Sequence, residues 1–290
     1  MTINKRLNYF LCGMRAMPIR AVTGKVGFKQ MKASFTKNWL HYLQEALGLA
    51  IFMISACFFG ALLWGNDTSF HFTIQNETAR NIVTGILMGT TALIIFYSPF
   101  TAPSGSHINP AVTITFLRLN KMCPWDAMFY IIFQFIGGTV AVYIMALLMG
   151  NVLIQPPVNY AVTVPGKVGV VPAAVTEFII AVIMMTMVLF TSGHNKLKNY
   201  TRIIAGCFVC LYVIFAGPVS GFGMNPARSF ASAFPAHNYT AFWIYMSVPF
   251  AGMLTAAELY LFAEKKKKLK NEENVIDSYL SKRNDQNIIV

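Results

Sequence analysis

Two short stretches carry the residues best suited to act on a passing solute. They read Ser106-His107-Ile108-Asn109-Pro110-Ala111-Val112-Thr113 and Gly223-Met224-Asn225-Pro226-Ala227-Arg228-Ser229-Phe230, with Asn-Pro-Ala in common. Asparagine is a strong helix N-cap and proline is favoured at the first helical position, so each core predicts a short helix opening after an irregular stretch. One Asn-Pro-Ala is a weak signal; two at equivalent places are a strong one. Two helix N-termini meeting at one point concentrate partial positive charge there, a field that repels cations and protons. The asparagine amides offer donors to a passing oxygen, and the carbonyls before each asparagine offer acceptors.

The elements around these stretches must hold irregular backbone away from lipid. Six apolar segments can do so: about Trp39 to Trp64, Ile82 to Pro99, Ala127 to Met149, Ala173 to Ser192, Ile203 to Gly217, and Ala241 to Ala263. Most approach the roughly 20 residues that cross about 30 Å of hydrocarbon, and the fifth is short. The pieces Pro103 to Leu119 and Pro218 to Phe234 are too short to cross. Irregular backbone at membrane depth is tolerated only where it is buried in protein or lines a cavity. The expected class is therefore an all-α membrane protein of six transmembrane helices and two re-entrant half-helices.

Each half follows one plan: span, span, short piece, span. Three crossings are an odd number, so the second half begins on the opposite face and the repeat is inverted. The expected organisation is a basic cytoplasmic tail over 1–38, a channel domain over 39–263 with repeats at about 39–149 and 173–263, and a polar cytoplasmic tail over 264–290.

Composition agrees. Hydrophobic residues make up 56% and charged residues 12%, against about 25% charged in soluble domains. The net charge of +12 invites a nucleic-acid reading, but the charges are sorted by position. With the N-terminus inside, twenty of the 23 Lys and Arg fall in the two tails and the inside loops, as the positive-inside rule requires. Nucleic acid is excluded as a partner on that ground. Cys12, Cys57, Cys123, Cys207 and Cys210 do not form a disulfide framework, and the C-x-x-C of Cys207 and Cys210 reads as small apolar packing residues. No nucleophile–base set or metal-ligand cluster appears, so no enzyme, metal or cofactor is expected.

Glu45 and Glu177 occupy equivalent places in the first and fourth spans. An intramembrane carboxylate is costly and is a functional suspect, with proton relay in a coupled transporter as one reading. Arg228 follows the second motif directly, where a cation beside a narrow passage repels cations and donates to solute oxygen.

The paired motif resembles that of the aquaporin (major intrinsic protein) family over roughly residues 39–263. The resemblance implies a passive pore for water, glycerol or other small neutral solutes that excludes ions and protons. It also implies an assembly of four copies. By resemblance, Glu45 and Glu177 are structural acids bonding the re-entrant backbone, and Arg228 belongs to the outer selectivity filter. The other filter positions carry over by offset to Phe222, to Val213, and to Gly89, or to Met88 if the span itself is aligned. Phe222 resembles the glycerol-conducting branch, whereas Ser229, Ala233 and the pair Phe242-Trp243 resemble the water branch. His107 matches a pore-lining histidine of the family, with neutral hydrogen bonding or pH sensing as its readings.

The alternatives are a proton-coupled transporter using Glu45 and Glu177, and a weakly conducting structural membrane protein. The expected location is the plasma membrane or a bacterial inner membrane, with both termini cytoplasmic. Gly85 and Gly89 predict a close helix crossing. Asn66-Asp67-Thr68 and Asn76-Glu77-Thr78 are outside-loop glycosylation sequons.

Overall fold

A computed structural model describes residues 25–66, 68 and 74–287 of the chain. Cys12, most of the basic tail and the middle of the first sequon lie outside the described residues. The helices are α1 (Lys25–Trp64), α2 (Glu77–Tyr97), α3 (Pro110–Arg118), α4 (Pro124–Met149), α5 (Asn151–Ile154), α6 (Val170–Gly193), α7 (Thr201–Phe215), α8 (Gly217–Ser220), α9 (Pro226–Ala236) and α10 (Phe242–Asn287). Five are long and apolar enough to cross a membrane, and α7 is a shorter apolar helix of 15 residues. The chain is an integral membrane protein with the expected six spans, and α3 and α9 are the two half-helices.

The spans pair as the inverted repeat requires. α1 packs on α4 in the first half, and α6 on α10 in the second. The halves join where α2 crosses α7. At that crossing a Cβ on Gly89 would lie 2.7 Å from Cys210 Cβ and 3.0 Å from the Gly206 carbonyl oxygen. Gly85 likewise faces the Cys210 carbonyl, so the small-residue face of α2 is spent on this crossing.

The outer spans are longer than the hydropathy pattern suggested. α1 begins at Lys25, not near Trp39, because the residues before Trp39 have partners on α4. Asp126 Oδ1 accepts from Tyr42 Oη at 2.6 Å, from Asn38 Nδ2 at 3.0 Å, and from Ser34 Oγ. The Phe35 ring meets Phe129 edge-on at 5.1 Å. Tertiary bonds thus extend a basic, weakly apolar stretch as helix. α10 likewise runs on to Asn287, through a Lys- and Glu-rich stretch of good helix formers. At the base of that extension Arg118 and Glu258 form a two-pronged ion pair, at 2.7 Å and 2.9 Å.

The loop from Gly150 to Pro172 contains α5 and a 3-10 turn at Asn159–Ala161. It is fastened to the second half, with Gly166 N donating to Val219 O at 3.0 Å. Cys57, Cys207 and Cys210 carry free thiols, whereas Cys123 is disulfide-bonded, which the sequence did not lead one to expect.

Candidate functional site

The two Asn-Pro-Ala turns meet inside the helix bundle and are built alike. Asn109 caps α3, its Oδ1 accepting from Ala111 N at 2.9 Å. Asn225 caps α9, its Oδ1 accepting from Ala227 N at 3.1 Å and Arg228 N at 3.2 Å. Pro110 and Pro226 occupy the first helical turns, as expected for N1 proline. Ala111 and Ala227 are fully buried beneath them.

The asparagines also lock the turns together. Asn109 Nδ2 donates to Met224 O at 2.9 Å, and Asn225 Nδ2 donates to Ile108 O at 2.6 Å. Each amide spends one hydrogen on the opposite turn and keeps the other. The free donors expected from the sequence are thus halved, and the Ile108 and Met224 carbonyls are partly used.

Matching backbone twists create this approach. Gly105 and Gly221 sit at φ of +93° and +77°, which glycine adopts without steric cost. The next strained positions also match: Ser106 and Ile108 in one turn, Phe222 and Met224 in the other, all at positive φ. Such positions cost on the order of 1–3 kcal/mol each and persist only where surroundings enforce them.

Glu45 and Glu177 supply the enforcement. Glu45 accepts from Ser104 Oγ at 2.6 Å, His107 N at 2.9 Å, Ile108 N at 2.5 Å and Gln134 Nε2 at 2.8 Å. Glu177 accepts from Ser220 Oγ at 2.6 Å, Gly223 N at 2.8 Å and Met224 N at 2.5 Å. Both side chains are fully buried. A second brace repeats in each half: Tyr130 Oη donates to Ser104 O at 2.8 Å, and Tyr245 Oη to Ser220 O at 2.7 Å. Among the described residues no donor reaches the carbonyls of Gly105, Ser106, His107, Gly221 or Phe222. Carbonyls left without a protein donor take water or a solute as partner.

Arg228, on the first turn of α9, is half-buried. Its Nη1 is sealed without a partner among the described residues. Phe222 and Met88 are buried in one apolar cluster, with Val213 packed at its edge. Gly89 instead lies in the α2–α7 crossing. The His107 ring packs on Phe116 with centroids 4.7 Å apart, and its Nδ1 lies 3.2 Å from Thr113 Oγ1.

Several supporting residues escaped the sequence reading: Ser104, Ser220, Tyr130, Tyr245, Gln134 and Thr113. For some a signal existed. Ser-Gly precedes both asparagines at the same distance, as Ser104-Gly105 and Ser220-Gly221. Among the described residues no group of three or more His, Cys, Asp or Glu could hold a metal ion.

This geometry has counterparts among known proteins. The chain is 35% identical over 158 residues to Aquaporin NIP6-1 of Arabidopsis thaliana, covering 54% of this chain and 50% of that protein. It is 36% identical over 176 residues to a probable NIP-type aquaporin of Nicotiana alata, covering 59% and 63%. It is 32% identical over 193 residues to Nodulin-26 of Glycine max, covering 64% and 69%. The match therefore spans about half to two thirds of the length of these plant relatives. The solved aquaglyceroporin structure from Plasmodium falciparum shares the fold, with a TM-score of 0.62 at 18% identity over 76% of this chain and 94% of that one. Residues 32–260 match the family described as Major intrinsic protein, and with two locked Asn-Pro-Ala turns inside six spans, the chain belongs to that family.

Proposed function

We propose that the chain is a passive channel for water and small neutral solutes that excludes ions and protons. The carrying observation is the meeting of α3 and α9, N-terminus to N-terminus, through Asn109 and Asn225. Two helix N-termini present roughly half a positive charge each, and Arg228 adds a full one nearby. A cation entering this field would lose hydration and meet repulsion, whereas a neutral solute can exchange hydrogen bonds with the amides and bare carbonyls.

The filter is assigned to Arg228, Phe222, Val213 and Met88. Met88 is preferred to Gly89 because it shares a cluster with Phe222, while Gly89 is occupied by Cys210. Three apolar side chains and one arginine make a filter suited to solutes with both a carbon skeleton and hydroxyls, so glycerol is the expected second permeant. Assembly as four copies, cytoplasmic termini and residence in a plasma or bacterial inner membrane belong to the same proposal.

The proton-coupled alternative is opposed by the surroundings of Glu45 and Glu177. Each carboxylate is held by two backbone N–H donors, and Glu45 also by the Gln134 amide, so cycling a proton on either acid would break bonds that shape the turn. Stopped-flow light scattering on proteoliposomes tests the function. Shrinkage faster than in empty liposomes under a non-permeant osmolyte is expected, with protein-dependent re-swelling in glycerol. Shrinkage at the empty-liposome rate would sink it.

A further inference from the structure

His107 faces a hydrogen-bond chain that only the first half of the fold contains. Gln134, fully buried on α4, donates from Nε2 to Glu45 at 2.8 Å and to Thr113 Oγ1 at 3.2 Å. Thr113 Oγ1 lies 3.1 Å from the Asn109 carbonyl and 3.2 Å from His107 Nδ1. At the repeat-related places stand Gly223 for His107, Ser229 for Thr113 and Pro249 for Gln134. A Cβ on Gly223 would lie 3.0 Å from Cε1 of the Tyr245 ring and nearer still to its Cδ1, so the second half has no room for a ring there.

We infer that Gln134, acting through Thr113, is a positioning residue that sets the ring tautomer of His107, with the hydrogen on Nδ1 and a bare acceptor at Nε2. The donors and acceptors count as follows. Glu45 is met by donors on both oxygens, so the Gln134 amide must turn its nitrogen toward it, because an amide oxygen there would face a carboxylate. That nitrogen also reaches Thr113, whose hydroxyl oxygen is thereby an acceptor. The Thr113 hydroxyl has one hydrogen. Given to the Asn109 carbonyl, it leaves the oxygen to accept from His107 Nδ1–H, and all three contacts are hydrogen bonds. Given to His107 instead, it leaves the Asn109 carbonyl with only the Thr113 backbone N–H, at 3.0 Å, and sets that carbonyl 3.1 Å from a hydroxyl oxygen with no hydrogen between them, one bond fewer. The first allocation is the satisfied one.

His107 Nε2 has no partner among the described residues and is not among the sealed side-chain atoms, so its lone pair is open to a visitor. The consequence for transport rests on reading the passage as a conduit: a passing hydroxyl or water donates to His107, whereas Arg228 donates to it.

The test is solid-state NMR of 15N-histidine-labelled full-length protein in phosphatidylcholine liposomes, with His107 assigned by its through-space contacts to Phe116. A protonated Nδ1 and an unprotonated Nε2 are expected in the wild type. Thr113→Val should lose that pattern and Thr113→Ser should restore it; Gln134→Leu is the second way to break the chain. A wild-type ring protonated at Nε2, or a pattern unchanged in both Thr113→Val and Gln134→Leu, overturns the inference. Water flux measured on the same liposomes separates the two ideas. The expected tautomer without flux removes only the channel reading, and flux with the opposite tautomer removes only this one.

Discussion

The side-chain amide of Asn109 donates to the backbone carbonyl of Met224, 2.9 Å away and 115 residues along the chain. Together with its mirror bond from Asn225 to Ile108 it ties the two half-helices nose to nose. The same residues cap α3 and α9, so cap and clasp are lost together in a single substitution. Asn109→Ala should cost about 1 kcal/mol for the cap and a further ~1–3 kcal/mol for the orphaned Met224 carbonyl. Thermal unfolding in detergent should fall by several degrees, and proteoliposome water flux should fall with it. Unchanged stability would mean that the clasp is not formed.

Replacement of Glu45 or Glu177 by glutamine separates the structural role from proton transport. One oxygen of each becomes an NH2 facing backbone donors. Charge-assisted bonds of this kind are worth ~1.5–3 kcal/mol each, so both variants should lower the yield of monodisperse protein, the first also freeing Gln134. A well-folded Glu45→Gln protein that loses a pH-gradient-dependent uptake would favour the transporter instead.

Met88 and Gly89 are adjacent in sequence and should behave oppositely. Gly89→Leu places a side chain against Cys210 and the Gly206 backbone, neither of which can swing away. Overpacking of this sort costs ~1–3 kcal/mol or more, so misfolding is expected. Met88→Ala should fold and raise glycerol flux relative to water flux. Equal glycerol-to-water ratios in Met88→Ala and the wild type would remove Met88 from the filter.

The Arg118–Glu258 pair is half exposed, at 47% and 54%, so its good geometry should count for little. Exposed pairs contribute ~0.2–1 kcal/mol. A double-mutant cycle with Arg118→Ala and Glu258→Ala should return a coupling within that range that shrinks as salt is raised. A coupling above it would make the pair a structural tie between α3 and α10.

The sequence by itself determined the class of fold and the place of the site. Hydropathy blocks near bilayer length, the sorted charges and the doubled Asn-Pro-Ala depend on local chemistry, and local chemistry is legible residue by residue. Glu45 and Glu177 were visible for the same reason, since a lone carboxylate in an apolar run stands out. The tertiary structure alone decided where helices end and which side chains face each other. α1 extends back past Trp39 because Asp126, 92 residues beyond Ser34, accepts a hydrogen bond from it. Met88 parts from Gly89 because α7 crosses α2 at the glycine. Gln134 reads as one polar residue in an apolar span until the fold sets it between Glu45 and Thr113. Each is a contact between distant segments, and periodicity along one segment carries no record of what will be packed against it.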